Sequence, residues 1–105
     1  MAVYIVIEAK VKDPEKYQEY ISTFSQIVSN YGGRCLVSGG RITPLEEKMS
    51  YDRRQLERMV ILEFPSQVDQ RRCFSSTEYQ SIQSVRHEGA DTRTILLEGY
   101  KPECA

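Results

Sequence analysis

At 105 residues, with 14 basic and 15 acidic side chains and a formal net charge of −1, the chain is sized for one core and has no charge bias towards nucleic acid. A domain of this size buries roughly two-thirds of its unfolded surface, enough for a core without staples. Cys35, Cys73 and Cys104 are widely spaced with no CxxC pair, and with a single histidine they argue against a disulfide framework or a metal site; reduced thiols in a cytoplasmic setting are expected.

Residues 2–10 carry β-branched and aromatic side chains without a breaker and predict a strand. Its apolar start, Ala2-Val3-Tyr4-Ile5-Val6-Ile7, stops at Glu8 and lacks a basic leader, so neither a signal peptide nor a membrane span is expected. Asp13-Pro14-Glu15 opens a helix, with Asp13 as N-cap and Pro14 in the first turn. Tyr17, Tyr20, Ile21, Phe24, Ile27, Val28 and Tyr31 then form one apolar stripe of helical period. Gly32 is placed for a left-handed C-terminal cap, and Gly33 turns the chain into a strand over 33–42, where Gly39-Gly40, inside the strand or at its end, marks a bulge or, as the alternative, a close backbone or ligand approach. Cys35, alternating with Val37, and Cys73, beside Phe74, are both expected in the core.

Residues 43–57 form a polar excursion carrying Glu46, Glu47, Lys48, Asp52, Arg53 and Arg54, long for a hairpin and a place for partner or ligand contact. A strand over 58–64 ends at Pro65, and Ser66 caps a short helix through Phe74. Ser75-Ser76-Thr77-Glu78 interrupts that helix and starts another, with Tyr79, Ile82, Val85 and Arg86 on or near its inner face and Gly89 closing it. A last strand covers 92–100, giving one domain over 2–100 and a frayed tail over 101–105. No GxGxxG or GxxxxGK[ST] motif occurs, so no nucleotide or other cofactor is expected.

The order β-α-β-β-α-β, with Ile5-Val6-Ile7-Glu8-Ala9 echoed by Val60-Ile61-Leu62-Glu63-Phe64, is the ferredoxin-like α+β pattern: two helices on one face of a four-stranded antiparallel sheet. Both parities of the strands are apolar, yet helices cover only one face. The simplest second cover is the same sheet of another copy, which predicts a homodimer with a barrel-like interior.

Several motifs in order resemble the domain of unknown function 1330 family, within the dimeric α+β barrel superfamily: Asp13-Pro14 with Tyr17 and Tyr20; Tyr31-Gly32-Gly33-Arg34 with Gly39-Gly40; Leu62-Glu63-Phe64-Pro65-Ser66; Ser76 with Glu78-Tyr79-Gln80; then Arg86, Ala90 and Glu98-Gly99. The resemblance spans about residues 2–100 and implies the fold and the dimer, not a reaction. Ser38 stands where relatives often have arginine, and Cys73-Phe74 and Thr77 replace an aromatic-tyrosine pair and a proline, so pocket chemistry built on those groups is not expected here.

For chemistry, Glu8 and Glu63 end neighbouring strands and are candidates to share a proton or act as acid and base, with Arg34 supplying positive charge. The competing reading pairs each glutamate with an arginine such as Arg34, Arg41 or Arg86. Tyr4, Arg34, Tyr79 and His87 are candidate pocket residues, although His87 at a helix end also fits a solvated C-terminal residue. Two function classes follow: a cofactor-independent enzyme acting on a small aromatic or carboxylated metabolite, by fold-level analogy, and a non-catalytic dimer that binds a small ligand or partner. Neither a nucleic-acid nor a membrane partner is expected.

Overall fold

The computed structural model describes residues 1–39, 42, 43, 45 and 58–100. Most of the polar excursion, together with Gly40, Arg41, Cys104 and the tail, lies outside the described residues. The elements are β1 (Val3–Val11), α1 (Pro14–Asn30), β2 (Arg34–Ser38), β3 (Arg58–Phe64), α2 (Gln67–Phe74), α3 (Thr77–Ser81), α4 (Gln83–Gly89) and β4 (Ala90–Glu98). The strands form one antiparallel sheet in the order β2-β3-β1-β4, which is the ferredoxin-like topology.

Helix α1 starts where Asp13 stops the strand. Its carboxylate accepts hydrogen bonds from the backbone N–H of Glu15 at 3.1 Å and Lys16 at 3.3 Å, satisfying donors that the first turn leaves over. The helix buries Tyr20, Phe24, Ile27 and Val28 against the sheet. It ends at Gly32, whose φ of 82° only glycine adopts cheaply.

Period two decides which side chains of the sheet are dry. Val3, Ile5, Ile7 and Ala9 of β1 and Val60, Leu62 and Phe64 of β3 are buried beneath the helices. An aromatic cluster fills the space above them: Tyr20 stacks on Phe24 at 5.3 Å between ring centroids, Phe24 meets Tyr79 at 5.5 Å, and Tyr79 stacks on Phe74 at 4.8 Å. Cys73 is fully buried in this layer, and desolvation pushes its thiol up to about 11.

Four expectations need correction. The helix expected after Ser76 is two, α3 and α4, with Ile82 between them outside helical geometry; Tyr79 and Ile82 both face the core. The last strand begins at Ala90, because Ala90 pairs with Val11 directly after α4. The bulge in β2 lies between Cys35 and Val37, opposite Leu62 and Ile61, while Gly39 turns the chain at the strand end with a φ of 71°. Cys35 is exposed rather than in the core, since β2 is the edge strand and all five of its residues face solvent.

Candidate functional site

The face of the sheet away from the helices carries its side chains in three transverse rows set by the register. Arg34, Glu63, Tyr4 and Leu97 make the first, Val37, Ile61, Val6 and Ile95 the second, and Met59, Glu8 and Arg93 the third. The middle row is wholly apolar and belongs to all four strands. Val37, Ile95 and Leu97 are exposed, at 44%, 49% and 51%, which leaves an apolar band open on this face.

In the first row the Arg34 guanidinium donates from Nε to Glu63 Oε1 at 2.7 Å. Arg34 and hydrogen bonding from Tyr4 together hold the Glu63 carboxyl below its ordinary value. Hydrogen bonding to Glu63 raises the Tyr4 phenol, so this hydroxyl stays protonated at neutral pH. The row therefore holds an ionised carboxylate between a cation and a phenol. Such a group is a poor general base, because the arginine stabilises its charged form. What the row offers a ligand is the remaining N–H groups of Arg34 and an aromatic hydroxyl beside an apolar band.

The structure brings Arg34, Glu63 and Tyr4 together and separates the other candidates from them. Glu8 pairs instead with Arg93, at 3.6 Å. Because β1 and β3 run antiparallel, Tyr4 lies opposite Glu63 and Glu8 opposite Met59, four residues away, or roughly 13 Å along the sheet. Two strand-end glutamates on antiparallel neighbours sit at opposite ends, so Glu8 and Glu63 cannot share a proton. Tyr79 is buried among Phe24 and Phe74 on the helix side and cannot line a pocket on the open face. His87 is exposed in α4, with its Nε2 3.4 Å from Arg86 Nη2. Arg93 was not anticipated; the only signal for it was its place in the last strand, whose register the sequence does not state. Among the described residues no group of three or more His, Cys, Asp or Glu is arranged to hold a metal ion, and no helix is long and apolar enough to cross a membrane.

Fold and open face together define a small α+β protein of ferredoxin-like topology. The chain belongs to the family described as domain of unknown function (DUF1330), whose model matches residues 2–100. A protein of unknown function from Rhodopseudomonas palustris superposes with a TM-score of 0.76 at 17% identity, covering 96% of this chain and 84% of that one. A dimeric protein of unknown function and ferredoxin-like fold from Bacteroides fragilis matches with a TM-score of 0.57 at 14% identity, covering 93% and 96%. A cofactor-independent oxygenase from Streptomyces nogalater, SnoaB, matches with a TM-score of 0.61 at 12% identity, covering 95% and 94%. These identities carry the fold alone. Among curated proteins none matches this chain.

Proposed function

We propose that the protein works as a homodimer joined through the helix-free sheet face, holding a small aromatic or carboxylated metabolite beside Arg34, Glu63 and Tyr4. The observation that carries this is the apolar row Val37, Ile61, Val6 and Ile95, which crosses the whole sheet and has no helix over it among the described residues. A second copy of the same face covers it with a self-complementary surface, as a two-fold interface requires. A protein of this fold that is described as dimeric supports dimer formation as such. Closing the face also takes water from Arg34, which strengthens its attraction for a ligand carboxylate. The exposed thiol of Cys35 favours a reducing cytoplasm.

A second reading, turnover without a cofactor, draws on the oxygenase with the same fold. In that reading Arg34 and the protonated Tyr4 stabilise developing negative charge, and Glu63 positions both. Sedimentation and native mass spectrometry test the proposal together. The expected result is a dimer at micromolar concentration carrying a small anionic molecule, with Ile61→Lys breaking the dimer. A folded wild-type monomer at that concentration would sink the dimer; a dimer that carries no ligand and takes up no aromatic carboxylate would leave only an interaction module.

A further inference from the structure

On the other side of the sheet, α4 carries a cation with no carboxylate paired to it among the described residues. Arg86 is half-buried, and its guanidinium donates from Nε to Gln83 Oε1 at 2.8 Å and from Nη1 to Thr92 Oγ1 at 2.6 Å, while Nη2 lies 3.4 Å from the His87 ring nitrogen. Gln83 and Thr92 are neutral acceptors. Acidic groups stand close by in the chain, yet they are engaged elsewhere: Glu88 pairs with Lys16 at 3.5 Å and Asp91 with Lys12 at 3.4 Å. A guanidinium has five N–H groups, so three contacts leave two without an acceptor among the described residues.

The surroundings favour a charged ligand over a purely structural bracket. Thr92 sits on β4 in the row with Ala9, the smallest side chain of the buried face of β1, so the floor of the layer is low at this corner. The phenols of Tyr20 and Tyr79 lie near each other on the adjoining wall, and Tyr20 is within electrostatic range of Arg86. Burial raises the Tyr20 phenol, so it is no counter-ion for Arg86. The corner thus combines a fixed cation with buried aromatic neighbours, and among the described residues no carboxylate pairs with it.

We propose that Arg86, held by Gln83 and Thr92, is the anchor of a second ligand site at the corner of α1, α4 and β4, which takes the carboxylate of a small organic acid in a two-pronged contact. Partial removal from water makes an incoming carboxylate more valuable to this arginine than to one in bulk solvent. The site lies across the sheet from Arg34 and does not depend on dimer formation.

The test titrates the 15N-labelled wild-type protein with benzoate and, separately, with benzamide, which has the same ring without the charge. Benzoate at millimolar concentration should shift the Arg86 side-chain Nε–H and the Thr92 amide, and benzamide should not. Arg86→Gln should lower benzoate affinity about tenfold or more, and Arg86→Lys should restore part of it, because a lysine keeps the charge but not the fork. Thermal shifts on benzoate addition, compared with the same ionic strength of chloride, give a second measure that needs no variant. Equal responses to benzoate and benzamide, or no shift at Arg86 in the wild type, would overturn the proposal and leave Arg86 as a bracket between α4 and β4.

Discussion

Gly89 tests how tightly the helical layer is drawn together. The last residue of α4, it is buried against the start of α1, and its carbonyl accepts hydrogen bonds from the N–H groups of Lys12 at 2.8 Å and Asp13 at 3.1 Å. A methyl group added there would lie 2.8 Å from the Tyr17 nitrogen and 3.0 Å from both the Lys16 carbonyl carbon and the Tyr17 Cα. All three are backbone atoms, which no rotamer change can clear, so α4 must move. Gly89→Ala gains at most about 1 kcal/mol from reduced backbone freedom and better helix propensity. Overpacking costs about 1–3 kcal/mol, here towards the upper end, and shifting α4 weakens two hydrogen bonds worth about 1 kcal/mol each. The clash wins by about 2 kcal/mol. For a domain of this size that lowers Tm by about 10 °C. Thermal melts followed by circular dichroism, checked by urea unfolding, read the difference; Ser84→Ala, on the exposed side of the same helix, should stay within about 0.5 kcal/mol of wild type. A Gly89→Ala protein as stable as wild type would refute the close approach of α4 to α1.

Glu63 should make stability depend on pH in a defined direction. Its carboxyl is held below its ordinary value of 4.5, so its contribution is present above that pH and is lost as pH falls through the lower folded value; wild type should therefore lose stability faster than Glu63→Gln below pH 4.5, and parallel curves would contradict the pairing with Arg34. Cys73 and Cys35 should separate in thiol labelling of the native protein. Cys35 reacts within minutes at pH 8, whereas Cys73, buried and pushed up to about 11, stays unmodified until the chain unfolds, as peptide mapping would report. Asp13→Ala removes the two hydrogen bonds at the start of α1 and should cost about 0.5–2 kcal/mol in urea unfolding, with Asp13→Asn recovering most of it.

The long helix was legible because its signals are local: a proline after a capping aspartate, a stripe of period 3.6 and a glycine at the end. Its buried residues are the middle of that stripe, Tyr20, Phe24, Ile27 and Val28, while Tyr17, Ile21 and Tyr31 are only partly covered at its margins. Element order and topology were legible for the same reason. What failed depended on position across the sheet. Cys35 and Val37 look like core by alternation, but alternation does not say that a strand lies at an edge. Glu8 and Glu63 look adjacent because their strands are neighbours, but antiparallel register sets them at opposite ends. The break at Ile82 carries no glycine or proline to mark it in the sequence. Arg34 with Glu63 was among the weighed pairings; choosing it over Arg41 or Arg86 needed the register of β2 on β3.

The placement of β1 has a consequence for how the chain reaches this state. Val3 lies between Phe64 on one side and Glu98 on the other, so the first strand made is the last to be fully clasped. The pairing of β1 with β4 joins the far ends of the domain. Local helices can flicker early, but the sheet that holds them closes only after long loops are drawn in, which slows folding and leaves little stable ground short of completion. A fragment ending before Ala90 would keep every residue of α1 and still lack one wall of the strand on which α1 rests. The domain is therefore built to fold as a unit rather than half by half, despite the repetition of its two βαβ-like halves.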